Sequence, residues 1–537
     1  MKKTSKNTMV TGVAWMTAAN ISSKILAAAY IIPWYSWFGD NKLQANALYT
    51  KGFTVYSLFL MLSTAGLPAA ISKQISHYNS LGEYNSSFRL FKGSIVLAAV
   101  LGIIIGGLMW SLSPILAAGD YRMVSIFRSL ASAVMIIPIM SVGRGFFQGF
   151  KDMKPSAISQ FAEQLFRIIY MLIATYIIMK IVKGSYVSGI IQSTFAAFIG
   201  AVAGTGVLIF FFMKKIKQYR SLREESIDGL TTSTVNLVVE VIKQAIPFIF
   251  VGVATSLYGL IDQYTFIPIL EKYTNYTMYK INDIYTLFAG NANKLIMIII
   301  SLATAMAMTA IPILTESITK NDKNNARNQI VNSIELLLSI MLPSAFGMAA
   351  VAKPLYIVFY GYGKFNNYGI SVLKVACYMA IFQGVFLLLA DILQGIYENK
   401  YAVLFTFYGI IIKLLVQLPL IIYFEAYGPL IATAIGMTFS SLLMVFHLRK
   451  NFFFESKKLI KTITQLLLGS IIMFILVLII EKIFDLITLN RILCFFELLV
   501  LIIIGSLVYG YYLLKTNLAY QLLGERSLSI KRRFHIK

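Results

Sequence analysis

Long apolar runs, separated by short polar stretches, cover nearly the whole chain. A run such as LFKGSIVLAAVLGIIIGGLMWSLSPILAA, residues 90–118, exceeds the roughly 20 residues a helix needs to cross a hydrocarbon core of about 30 Å. These runs do not alternate as barrel strands do, over roughly 10 residues. The pattern predicts an all-α polytopic membrane protein with about 14 transmembrane helices. They are expected near 10–38, 47–72, 90–117, 123–148, 155–180, 185–213, 240–270, 282–313, 327–351, 368–395, 400–424, 426–448, 459–481 and 490–515. The first begins with basic residues, as a secretory signal does. Its apolar part runs on past Asn20, Ser22, Ser23 and Lys24 to Phe38, so it is read as a retained span.

Composition agrees. The chain is 58% hydrophobic and 13% charged, where soluble domains average about 45–50% and about 25%. The net charge of +24 does not imply nucleic acid, because the lysines and arginines are spread over loops between spans. Retention of basic loops in the cytoplasm places both termini on the cytoplasmic side. The heaviest clusters, KKIKQYRSLR at 214–223, RKNFFFESKKLIK at 449–461 and the tail RSLSIKRRFHIK, are expected to contact anionic membrane lipids.

The polar residues left inside spans are more informative. Lys24, Lys51, Arg128, Arg144, Arg167, Lys243, Lys294, Lys374 and Lys413 fall in no loop. Lys51, Lys243 and Lys374 are placed to snorkel to an interface. A charge at mid-membrane costs several kcal/mol and usually faces a bundle interior or a watery cavity. Lys24 follows Asn20, and Lys294 follows Asn291 and Asn293; neither has an acidic neighbour one turn away. Each is expected to attract a ligand anion, with a partner from another helix as the alternative. Asp262 and Asp391 are the alternative partners, or sites for a coupling cation. Glu163 and Arg167 are one turn apart and can pair, either locking spans together or, with Gln164, walling a substrate cavity. Pro68, Pro138, Pro247 and Pro312 are fixed bends or hinges, and Gly102 with Gly106 is a close-packing motif.

The chain also repeats. FQGFKDMKPSAISQFAEQLFRI from Phe147 lies on LQGIYENKYAVLFTFYGIIIKL from Leu393, with Lys154 on Lys400 and Arg167 on Lys413. LSTAGLPAAISKQ around Pro68 resembles MAMTAIPILTESI around Pro312. Two six-helix lobes in the same orientation, 1–213 and 240–448, follow from this. Such parallel repeats are related by an axis along the membrane normal and build transporters with a site between the lobes. A basic cytoplasmic linker spans 214–239, two further helices occupy 449–515, and a basic tail spans 516–537. No G-x-x-x-x-G-K-[ST] phosphate loop occurs. The three histidines are isolated, Cys377 and Cys494 indicate no disulfide framework, and no soluble domain is large enough for catalysis. A transporter without cofactor or metal is expected, not an enzyme.

LSTAGLPAAISKQISHYNSLGEY and GRGFFQGFKDMKPSAISQFAEQLFR, with IDQYTF and LQGIYENKYA, resemble the polysaccharide-export branch of the multidrug/oligosaccharidyl-lipid/polysaccharide (MOP) superfamily. Within it they resemble the SpoVB/YtgP group of Gram-positive bacteria, whose members act as MurJ-type lipid II flippases. The resemblance implies alternating access and a cationic central cavity containing Lys24 and Lys294, with Arg167 and Lys413 as weaker candidates. It also implies a lipid-tail groove made by the last two helices. The implied substrate is an undecaprenyl-diphosphate-linked glycan, lipid II, carried from the inner to the outer leaflet by a monomer associated with the cell-wall synthesis machinery. Membrane potential or an ion gradient would bias the step, at about 2.3 kcal/mol per charge per 100 mV. Lysine stands where the family carries arginine at both cavity positions, which keeps charge but loses the bidentate fork. WFGDNKLQANALY lacks an acidic residue found in Gram-negative relatives. The alternatives are a flippase for another undecaprenyl-linked polysaccharide, a MATE-like cation or drug exporter, and, from a different class, a membrane-embedded glycan polymerase using Glu271 or Asp283.

Overall fold

The computed structural model describes residues 15, 22–23, 26–64, 66–227, 233–301, 314, 317–318, 322–452, 456–484, 490–516 and 518–523. Among them every regular element is helical. Thirteen stretches are long and apolar enough to cross a membrane. They fall on the second to fourteenth expected spans, and part of the first expected span lies outside the described residues. The chain forms two compact units that divide between Gln263 and Tyr264.

The first unit contains α1 (Ile31–Trp37), α2 (Lys42–Thr64), α3 (Leu67–Ser80), α4 (Tyr84–Ser111), α5 (Ser113–Leu116), α6 (Tyr121–Gly149), α7 (Met153–Tyr176), α8 (Tyr186–Lys214), α9 (Ile216–Glu224) and most of α10 (Thr234–Tyr273). Local chemistry sets the ends of these helices. Asp120 and Ser185 accept from the backbone N–H of Arg122 and Val187 and so cap α6 and α8, each satisfying a donor that the first turn leaves unpaired. Between α2 and α3 the chain breaks at Gly66, which has φ +74°. Pro68 then stands in the first turn of α3, where its missing N–H costs nothing. Pro68 therefore opens a new helix instead of bending a continuous one. A Cβ on Gly66 would lie 3.1 Å from the Ala245 backbone of α10, so the break is also a close approach.

Small residues draw the helices together, as expected where lipid removes the hydrophobic drive between them. A Cβ on Gly102 would meet the Met135 carbonyl, and one on Gly200 would sit 2.6 Å from the Glu163 carbonyl. Large apolar side chains such as Ile103, Phe210, Leu415 and Leu442 point outward and are more than half exposed, as lipid-facing positions are. The start of the basic linker is not loose. Lys215 pairs with Asp152, and Tyr219 of α9 packs among Phe88, Phe146, Phe150 and Phe212.

The second unit contains α11 (Met278–Tyr285), α12 (Lys323–Ala350), α13 (Ala352–Tyr360), α14 (Asn366–Gly395), α15 (Asn399–Phe424), α16 (Tyr427–Phe452), α17 (Ser456–Phe484), α18 (Arg491–Lys515) and α19 (Leu518–Leu523). After α11 a π-helical segment, Thr286–Ala292, widens the turn. Its buried Asn291 is held from both sides: its amide donates to Tyr356 at 2.8 Å, and its carbonyl accepts from Tyr360 at 2.8 Å. Pro343 and Pro419 lie inside α12 and α15. The Gln-Gly corners match between the units. Helices α6 and α14 both end on the Gln-Gly glycine, and Lys151 and Tyr397 both take positive φ, 59° and 64°. The N–H of Asp152 donates to Phe147 as that of Glu398 donates to Leu393.

Candidate functional site

In the first unit the polar interior is built on α2, α6, α7 and α8. Arg167, on α7, does not pair with Glu163, its neighbour one turn back. Glu163 instead accepts from Arg144 of α6 at 2.7 Å. Arg144 also donates twice to the Ser159 hydroxyl at 3.1 Å, and Ser159 donates on to the Gly204 carbonyl of α8 at 2.9 Å. This knot ties three helices, α6 to α7 through charge-assisted hydrogen bonds, which are roughly twice as strong as neutral ones, and α7 to α8 through a neutral one. The expected Glu163–Arg167 pair is thus replaced by one between helices. The i, i+4 spacing permits the local pair, but Arg144 reaches the same carboxylate from α6.

Arg167 turns to α2. Its guanidinium donates to the Tyr49 hydroxyl at 3.2 Å and lies over the Phe53 ring, 4.8 Å from the centroid. Tyr30 and Tyr56 are near enough to act on it electrostatically. Tyr49, Phe53 and Tyr56 follow one another along one face of α2, with ring centroids 4.5 and 5.3 Å apart. Arg167 is therefore held by neutral phenols and a π face, which position it without cancelling its charge.

The other polar positions differ in setting. Gln164 and Asp262 are half-buried. Lys51, expected at an interface, is 7% exposed, and Asp120 and Arg122 are its charged neighbours. Arg128 donates to Ser113 and lies over Trp110. Lys243 and Lys374 are exposed, each on its own unit. Pro138 is buried inside α6. Pro247 lies in α10. Lys24, Asn20 and Pro312 lie outside the described residues.

In the second unit Lys413 of α15 is fully buried and donates to the Thr433 hydroxyl of α16 at 2.6 Å. One turn along α15, Gln417 donates to Thr265 at 3.1 Å. Lys294 is half-buried and follows the Asn291-anchored π segment directly, while Asn293 is exposed. Asp391 is half-buried on α14. Among the described residues no three of His, Cys, Asp or Glu are grouped to hold a metal ion.

The residues that sequence reasoning missed are Tyr30, Tyr49, Tyr56 and Thr433. The α2 set had a signal, since Tyr49, Phe53 and Tyr56 recur at i, i+4 and i+7 and so share a helix face. Thr433 had none.

Long spanning helices with buried, hydrogen-bonded cations mark a polytopic membrane protein with a polar interior. Residues 9–318 match the family described as polysaccharide biosynthesis protein, and residues 289–419 match the MatE family. The chain is 32% identical over 485 residues, 88% of each chain, to "Lipid II flippase MurJ" of Bacillus subtilis (strain 168). It is 26% identical over 230 residues, 42% of each chain, to "Stage V sporulation protein B" of the same organism. Its fold resembles a solved structure of lipid II flippase MurJ in an inward closed conformation, with TM-score 0.64 at 15% identity, covering 95% of this chain and 99% of that one. It also resembles an inward-facing multidrug resistance MATE family transporter, with TM-score 0.62 at 14% identity, covering 83% and 96%. The chain belongs to the polysaccharide biosynthesis protein family.

Proposed function

We propose that this chain is a lipid II flippase, carrying the undecaprenyl-diphosphate-linked peptidoglycan precursor from the inner to the outer leaflet. The observation that carries this reading is Arg167, an intramembrane cation held by phenols and an aromatic face and so left with its charge. A diphosphate is the complementary ligand, and its attraction is strong where the dielectric is low. The similarity to a named lipid II flippase over 88% of both chains supports the choice of substrate. Lys24, Lys294 and Lys413 complete the cationic set in this reading. Glu163 is assigned to Arg144 and lies outside it.

The remaining features follow the same reading. Lobes 1–213 and 240–448 rock about the substrate, linker 214–239 joins them, and the last two helices, 449–515, receive the lipid tail. Both termini are cytoplasmic, the basic clusters and the tail 516–537 contact anionic lipid, and the protein acts as a monomer near the cell-wall synthesis machinery. Membrane potential or an ion gradient biases the rocking of the lobes.

The test is complementation. A strain depleted of its resident flippase receives this chain, or its Lys294→Ala and Lys24→Ala variants at equal membrane abundance, and surface-exposed lipid II is measured. The unmodified chain restores exposure and the variants do not. Restoration by neither the unmodified chain nor the variants points instead to another undecaprenyl-linked polysaccharide.

A further inference from the structure

We propose that Arg144 is a positioning residue: by taking up the Glu163 carboxylate it leaves Arg167 with a net charge to offer the substrate diphosphate. This rests on the flippase reading and adds a role for two residues that reading does not use. Glu163 and Arg167 stand one turn apart on α7, the spacing at which a carboxylate and a guanidinium pair readily. A carboxylate bound to Arg167 would occupy its hydrogen-bond fork and cancel the charge that a diphosphate requires. Both losses are avoided because Glu163 is already engaged from α6. Its Oε2 accepts from Arg144 at 2.7 Å, and both side chains are mostly buried, 18% and 24% exposed.

Arg144 is itself fixed. Two of its nitrogens donate to the Ser159 hydroxyl at 3.1 Å, and its own carbonyl accepts from Ser156 at 3.0 Å. The Glu163 side of α7 is closed by α8, where a Cβ on Gly204 would come within 3.2 Å of the Glu163 Cβ. One turn further on, where a Cβ on Gly200 of α8 would come within 3.0 Å of its Cβ, Arg167 uses one nitrogen for Tyr49 and sets its guanidinium over Phe53. A guanidinium carries five N–H donors, and among the described residues this arrangement leaves most of them for a ligand. The two arginines thus divide the work. Arg144 neutralises the local carboxylate, and Arg167 keeps its charge.

The mechanism predicts an unusual suppression pattern. With Arg144→Met, Glu163 is released and pairs with Arg167, and the rate of lipid II exposure in the complementation strain falls about tenfold, a differential of one decade in affinity. Adding Glu163→Gln removes the competing carboxylate, and the double variant returns to within about threefold of the unmodified chain. Glu163→Gln alone stays in the same range. Arg167→Met is not rescued by Glu163→Gln. Binding of undecaprenyl diphosphate to the purified variants follows the same order, and this second measurement keeps the inference testable if the transported glycan differs. A double variant as defective as Arg144→Met, at matched membrane abundance, overturns the inference, because Arg144 would then act only by holding helices together. So does a Glu163→Gln variant as defective as Arg144→Met. Failure of the unmodified chain to expose lipid II would overturn the flippase reading instead.

Discussion

Arg167 and Tyr49 meet across two helices of the first unit, with guanidinium donating to phenol at 3.2 Å. The contact orients the cation through a hydrogen bond to a hydroxyl, not through an ion pair with a carboxylate. The contribution of Tyr49 should therefore be separable from that of the charge. Tyr49→Phe removes the hydroxyl to which Arg167 donates, a hydrogen bond worth about 0.5–1.5 kcal/mol, and is expected to slow lipid II exposure by a few-fold. Arg167→Ala is expected to abolish it. Equal losses in the two variants would show that Tyr49 acts through packing.

The Lys413–Thr433 contact in the second unit makes a different demand. Lys413 is fully buried, so weakening its hydrogen bonding exposes the cost of a buried charge. Thr433→Val is expected to lower the stability of the detergent-solubilised protein by about 1–3 kcal/mol, read as a fall in Tm. An unchanged Tm would mean that Thr433 carries none of that burden.

The two Gln-Gly corners offer a test of the internal repeat. Lys151 and Tyr397 hold φ of 59° and 64°, a region that costs an ordinary residue about 1–2 kcal/mol and glycine nothing. Lys151→Gly and Tyr397→Gly should each raise the Tm, and by similar amounts, since the corners share one hydrogen-bond pattern. A fall in either variant would show that the side chain at that corner matters more than the backbone.

Asp120 lies in a connection between spans and should give a pH dependence of known sign. Burial pushes its carboxyl up, but the hydrogen bonds and charge of Arg122 outweigh this and hold it below the ordinary value. A carboxylate with a depressed native pKa contributes stability above its unfolded value, about 3.9, and loses it as pH falls through the native one. Asp120→Asn should therefore lower the Tm at neutral pH, and the gap from the unmodified protein should close in acid. A gap independent of pH would exclude this linkage.

Much of the fold can be read from the sequence, because a membrane leaves the helix almost no competitor and the length of each apolar run sets its span. The corner repeat was equally visible in the paired Gln-Gly motifs. Three things were not. Glu163 has two arginines in reach, and spacing identifies only the one on its own helix; choosing Arg144 takes the packing of α6 on α7. Pro68 reads from sequence as a bend or a hinge within a helix, although Gly66 two residues earlier already carries the pattern of a helix end followed by a helix start. The π segment before Lys294 has no periodic signature, since it changes the hydrogen bonding of one turn without altering composition.

The central claim is that this chain moves lipid II across the bilayer by means of its intramembrane cations. The most direct measurement uses the purified protein in liposomes carrying labelled lipid II in the inner leaflet, and follows its appearance to an impermeant probe outside. The account predicts transfer that depends on the protein and is lost in Arg167→Ala and Lys294→Ala at equal incorporation. Transfer at the protein-free rate, or undiminished transfer in both variants, would contradict it.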